Sequence, residues 1–183
     1  MPAKWSDAVR NAMLDAETTI LGASPQIRFY GGTPPADEST ALSGNTQLGQ
    51  ITLAPAAAAA GSKNFIPSAV NDPAADASGV CTFYRLTTSG GVAHEQGLVS
   101  QPHAGSTAYV TGQQVHNAGN VYRATTGGTT AAATPPTGTG GSITDGTVTW
   151  AFVQAGVDLV LDNTNLVINQ QINMNGFTRT APG

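Results

Sequence analysis

Few side chains in this sequence can do chemistry, and their spacing argues against most of it. His94 and Glu95 are neighbours, the residue types that move protons in general acid–base catalysis. Adjacent residues on a strand point to opposite faces, so the two are not expected to reach one substrate atom. His103 and His116 fall in or near turn-like stretches without spaced metal partners. A metal site needs three or four converging ligands, and three histidines with one cysteine supply no recognisable set. Cys81, close to Phe83 in a strand-like run, reads as a small core residue rather than a nucleophile. It is alone, so it can form no intrachain disulfide.

The carboxylates are as scattered. Asp37, Glu38, Asp72 and Asp76 sit in Pro/Ala-rich stretches that read as solvated loops. Asn71-Asp72 and Asp162-Asn163 have the oxygen chemistry of a weak Ca2+ site and little else. The glycines of Gly138–Gly141 do not stand between a strand and a helix, so they form no phosphate-binding loop. No Ser-His-Asp set can be nominated, and no carboxylate pair suited to glycoside hydrolysis. The expectation is a non-enzyme with no catalytic residue, no cofactor and no metal.

Composition bounds the partners. The chain has 183 residues, and only 10% are charged, against about 25% in an average soluble domain. The net charge is −4, with seven basic residues and no basic run. Nucleic-acid binding needs clustered Lys and Arg, so it is not expected. No apolar run is long enough to span a membrane. Met-Pro-Ala-Lys-Trp at the start lacks the apolar run of a secretory signal. Together with the single cysteine, that points to synthesis in a reducing cytoplasm.

The elements that would position these residues are mostly strands. Trp5–Leu21 is the one convincing helix: Trp5, Val9, Met13 and Ile20, with Ala12 and Ala16, share one face. Ser6 or Asp7 can cap its start, and Gly22 and Pro25 end it. The face is expected to dock on a sheet or on a neighbouring subunit. Gln26–Tyr30 and Leu48–Leu53 read as strands. Ala56–Ala60 reads as low-complexity chain able to form at most a helical turn. Cys81–Leu86 and Val92–Leu98 flank a Gly-rich turn and read as a hairpin. Val157–Leu161 and Leu166–Met174 read as a strand pair around Asp162–Asn165, with Phe177–Thr180 as a terminal edge. The fold class expected is mainly β: an antiparallel β-sandwich or jelly-roll-like domain with one N-terminal helix.

Residues 101–154 have a different texture and read as an inserted, surface-displayed β-module, leaving 1–100 plus 155–183 as the outer domain. Tyr109-Val110 is expected to pair with Val115 through Thr111-Gly112, and Val115 with Val121-Tyr122 across Asn117–Asn120. Thr125–Gly141 reads as a long loop, and Asp145-Gly146 as a turn before Val148–Phe152. About 50 residues is at the edge of independent stability, so Tyr109, Tyr122, Trp150 and Phe152 must supply much of the core.

Tyr109/Gly112, Gly119–Arg123, the Gly/Thr/Pro loop Thr126–Gly141 and Asp145–Trp150 occur in an order that resembles a short module recurring in tailed-phage virion proteins. In layout the module is similar to small carbohydrate-binding domains, which stack sugars on aromatic rings. The flanks, from the helix into Ile27–Pro35 and from Asp158–Asn165 to Thr178-Arg-Thr-Ala-Pro182, also look like a phage structural protein. The resemblance implies a virion component, made in the bacterial cytoplasm. It would decorate or cement the capsid surface as a homo-oligomer bound to the major capsid protein or another virion protein. Trimers are common among such proteins, but no residue here fixes the number. Trp5, Val9 and Met13 of the helix, with Leu166, Ile168, Ile172 and Met174, are the candidate assembly or core residues. The alternative is a neck, tail or fibre adhesin for a host-surface glycan, with Tyr109, Tyr122 and Trp150 as candidate sugar contacts.

Overall fold

The computed structural model describes residues 4–65, 70–174 and 177–182. Met1–Ala3, part of the stretch read for a secretory signal, lie outside the described residues. One helix, α1 (Asp7–Leu21), comes first. The outer strands that follow are β1 (Gln26–Gly31), β2 (Gln47–Thr52), β3 (Ser62–Asn64), β4 (Val70–Asp72), β5 (Gly79–Thr87) and β6 (Ala93–Pro102). Then come β7 (Ala108–Tyr109), β8 (Gln114–Asn117), β9 (Asn120–Thr126), β10 (Gly128–Thr129), β11 (Ile143–Asp145) and β12 (Val148–Ala155). The chain closes with β13 (Leu159–Val160), β14 (Asn165–Leu166), β15 (Ile172–Met174) and β16 (Thr178–Thr180).

The main sheet runs β11-β12-β9-β8-β6-β5-β1-β2, with β13 also on β6 and β14 also on β5. Its pairs are antiparallel except β6 with β8 and β6 with β13, which are parallel. Three two-stranded antiparallel ribbons complete the fold: β7 with β10, β4 with β15 and β3 with β16. The protein is mainly β with one helix, as the patterning predicts, and is consistent with a β-sandwich carrying an N-terminal helix.

Period-two alternation explains the centre. Ile27 lies opposite Leu86 and Ile51, and Phe29 opposite Tyr84, all buried. On β5's other face Phe83 stacks on Tyr30 at 5.2 Å, so that strand is covered on both sides. Burying each large apolar side chain is worth about 1.5–3 kcal/mol. The C-terminal segment closes this core with Leu166, Ile172, Met174 and Phe177, the last edge-on to Tyr84 at 6.2 Å. A second cluster forms within 101–154: Tyr109, Val115, Tyr122, Ala124, Val148 and Trp150. The two clusters are separate, yet β8 pairs with the end of β6, so one sheet runs through both.

Several sequence expectations need correction. The helix begins at Asp7: Ser6 is its N-cap, its Oγ accepting from Val9 N at 3.4 Å, and Trp5 precedes it. Gly22 ends it at φ 83°, where a side chain would be strained, and donates to Thr18 O at 2.8 Å. Ala56–Ala60 forms no helical turn; Ala59 makes a bridge to Ser62 instead. Leu166–Met174 is not one strand, because a turn at Val167–Gln170, with Asn169 at φ 67°, splits it into β14 and β15. Asp72 is not in a loop but ends β4, a strand too short for its pattern to show. Tyr109 pairs with β10, not with Val115, because Gly128-Thr129 offers an open edge inside the supposed long loop. The hairpin β5–β6, the β8–β9 pair and the β11–β12 turn lie where the patterns put them.

Candidate functional site

The three rings nominated for sugar are walled in. Tyr109, Tyr122 and Trp150 are 3%, 1% and 0% exposed. Alternation puts Trp150 and Val148 inward from β12 and Tyr122 and Ala124 inward from β9, where the rings meet one another. Tyr109 meets Trp150 edge-on at 5.2 Å. Tyr122 Oη donates to Gly138 O at 3.1 Å, and Tyr109 Oη accepts from Ala104 N at 2.9 Å. No face is open for stacking, so their assignment as sugar contacts is corrected: in a module this small, the large rings are the core.

Beneath Trp150 lies a group of polar side chains whose partnership the sequence did not reveal. The Asp145 carboxylate is fully buried. Its Oδ2 meets His103 Nε2 at 2.7 Å and accepts from Trp150 Nε1 at 3.1 Å. Its Oδ1 accepts from Ala131 N at 2.8 Å. Gly146 beside it has φ 64°, and a Cβ there would lie 2.3 Å from Thr129 O. Asp-Gly is thus required at this turn by both partners.

The helix is attached the reverse way to the usual amphipathic helix. Its polar side faces the body. Arg10 donates to Ala181 O at 3.1 Å, and Asn11 Oδ1 accepts from Gly61 N at 2.9 Å. Asp15 Oδ1 accepts from Ala58 N at 3.1 Å and from the buried Lys63 Nζ at 2.6 Å. Those bonds, the one to Lys63 foremost, hold the Asp15 carboxyl below its ordinary pKa. The 58–63 loop and the last residues offer bare backbone groups, and a polar helix face satisfies them. Leu14 and Leu21 are the buried apolar residues of the helix. Trp5 (54%), Val9 (38%), Met13 (47%) and Ile20 (61%) stay exposed. The expected docking of this face on a sheet of the same chain does not occur. Met13 and Ile20 border a cavity of about 330 Å3 lined also by Ala16, Leu21, Leu86, Glu17, His94 and Glu95.

The other assembly candidates divide. Leu166, Ile172 and Met174 are core residues of the outer cluster. Ile168 is exposed, as is Val167 beside it. Glu95, paired in the sequence with His94, accepts from Tyr84 Oη and from Arg179. Burial, reinforced by the Glu95 carboxylate, pushes the Tyr84 hydroxyl far up, so it remains a donor. Glu17, 3.9 Å from Arg179, is raised by desolvation in spite of that cation. Burial raises the Cys81 thiol strongly, which keeps it an unreactive thiol. Asp37 is held below the ordinary carboxylate value by Thr40 and Ser39. Asp72 serves the backbone, accepting from Gln50 N at 2.9 Å and Ala74 N at 3.1 Å. Among the described residues no group of three or more His, Cys, Asp or Glu is placed to hold a metal ion.

Between the two clusters lies a buried polar joint. Gln101 Oε1 accepts from Thr164 N at 2.7 Å, Thr164 Oγ1 at 2.8 Å and Gln113 Nε2 at 3.3 Å. Gln114 Nε2 donates to Thr82 O at 2.6 Å. Beside it opens a cleft of about 630 Å3, with walls from both the outer body and the module. No protein-family model, curated protein or solved structure matches the chain.

Sequence reasoning missed Asp145 with His103, the Gln101 joint and the helix's polar attachment. Asp145 and His103 are 42 residues apart, a separation at which no spacing rule operates. The attachment had one readable signal: Asn11 and Asp15 lie on the side of the helix opposite Val9, Met13 and Ile20, with Arg10 on the flank.

Proposed function

We propose that this chain is a structural virion protein of a tailed phage, which decorates or cements the capsid as a homo-oligomer with the 101–154 module facing outward. The virion assignment rests on the resemblance carried by Gly119–Arg123 and Asp145–Trp150 and by the two flanks. One observation carries the structural reading. The helix is fastened by Arg10, Asn11 and Asp15, and its apolar face is left to water. A Met and an Ile exposed on one helix face, with an exposed Trp just before the N-cap, mark a contact surface rather than a core. Repetition over many copies turns a small apolar contact into a stable assembly.

The surface can be removed without touching the fold. The double substitution Trp5→Ser and Met13→Ser is expected to leave thermal stability within about 0.5 kcal/mol, as exposed positions do. It is expected to abolish binding to capsids that lack the protein, measured by co-sedimentation, and to shift light-scattering mass toward the monomer. Normal capsid occupancy by the double variant would refute the proposal. Deleting 101–154 tests which part docks: particles that keep the shortened protein place the capsid contact on the outer body.

A further inference from the structure

We propose that the cleft between the outer body and the module binds a saccharide that carries a carboxylate. The cleft holds about 630 Å3, within the roughly 300–1,000 Å3 of small-ligand sites. Thr46, Ser78 and Leu48 line it from the outer body, and Thr111, Arg123 and Thr125 from the module.

Arg123 sets the charge of the ligand. It is the cleft's one charged lining residue. The other described arginines have partners: Arg10 has Asp7, Arg28 has Gln26, Arg85 has Gln96 and Arg179 has Glu95. Arg123 makes no side-chain hydrogen bond or ion pair among the described residues. In a protein of net charge −4, an uncommitted guanidinium in a cleft favours one planar anion, and its fork fits a carboxylate. A single cation suits one carboxylate better than a polyphosphate.

The hydroxyls set the remainder. Ser78 Oγ accepts from Ile168 N at 2.8 Å, and Thr111 Oγ1 accepts from Gly127 N at 3.1 Å. Each keeps its own proton to donate. Thr125 Oγ1 donates to Thr149 O at 3.1 Å and keeps oxygen lone pairs to accept. The cleft thus offers both donors and acceptors, as a polyol requires. No aromatic ring lines it, which disfavours a stacked nucleobase. Leu48 offers a small aliphatic surface for the C–H face of a sugar ring. The site needs both halves of the molecule and is independent of assembly through the helix.

The test titrates the full chain with a galacturonic acid trisaccharide, a neutral glucose trisaccharide and acetate at matched ionic strength, read by amide chemical shifts. The acidic trisaccharide is expected to saturate shifts at Ser78, Thr111 and Arg123. The neutral one is expected to bind about tenfold or more weakly, as the loss of one charge-assisted hydrogen bond implies. Arg123→Gln should weaken the acidic trisaccharide by a similar factor and leave the rest of the spectrum unchanged. Thr33→Trp, at an exposed position lining the cleft, should block it. The proposal is overturned if no saturable shift appears, if Arg123→Gln binds equally well, or if acetate binds as tightly as the trisaccharide.

Discussion

The outer body and the module solve the same problem by different means. The outer core is a broad apolar cluster in which Ile27, Phe29, Leu86 and Ile51 meet across paired strands and Phe177 closes the end. It also buries Lys63, Asp72 and Arg85, each bonded to groups outside the apolar cluster. The module has far less apolar area, and it buries a carboxylate at its centre. A unit of about 50 residues is marginal on hydrophobic burial alone. The Asp145 bonds to His103, Trp150 and Ala131 fix its rings and its turn in one arrangement. The lesson is that the smaller core is specified by polar geometry, and the larger one by volume.

The most direct way to break that contrast is at Asp145. Asp145→Ala strands the fully buried Trp150 Nε1 and the partly buried His103 and Ala131 N, and each unmet buried group costs about 1–3 kcal/mol. The module is expected to lose about 3 kcal/mol or more. Asp145→Asn keeps the shape but turns an amide NH2 toward a donor in either orientation, and is expected to cost about half as much. Trp150 is the reporter, once the exposed Trp5 is changed to Phe in the same background. Its fluorescence in urea should show an early transition that far-UV dichroism of the outer strands does not follow. An alanine variant as stable as the parent would mean that the rings alone suffice, and the contrast would collapse.

That contrast also explains what could be read from the sequence. Volume-specified structure leaves a local trace, so β1, β2 and the β5–β6 hairpin are legible from Ile27, Phe29, Ile51 and the Gly90-Gly91 turn. Strands of two or three residues, such as β3, β4 and β10, carry too few positions for a period. Polar geometry leaves no local trace either. His103 reads as a turn residue until the fold brings Asp145 to it. The helix misled for a related reason. Its apolar stripe is legible, but a stripe does not say whether the body or a separate molecule covers it.

The joint sharpens the comparison next. Gln101 gives one oxygen to Thr164 N, Thr164 Oγ1 and Gln113, with Thr164 fully buried. Gln101→Ala is expected to cost about 2 kcal/mol, mainly for the unmet Thr164 amide. Because the bond links the halves, the loss should also uncouple them. The Trp150 and far-UV transitions, expected to coincide in the parent, should separate by several degrees. If both fall together by the same amount, the continuous sheet through β6 and β8 does the coupling, and the glutamine only contributes stability.

His116 gives the smallest effect, and its sign can be fixed beforehand. It lies on β8, and its Nδ1 meets Ser100 Oγ on β6 at 3.1 Å, next to the parallel pairing of the two strands. Desolvation by partial burial lowers its pKa from the ordinary 6.5. The unfolded chain therefore binds a proton that the folded one resists. The stability this contributes is present above about pH 6.5 and is lost as pH falls through the lowered folded value. Protonation also puts a hydrogen on Nδ1, where the neutral ring can accept from Ser100. His116→Asn places an acceptor oxygen near that position without a titrating group. Melting temperature measured from pH 7.5 to 5 should fall more steeply for the parent than for the asparagine variant. The excess slope should appear in the Trp150 transition, because the histidine belongs to the module side of the joint. Equal slopes would mean that His116 is hydrated well enough to titrate alike in both states, leaving the Gln101 amide as the joint's main polar tie.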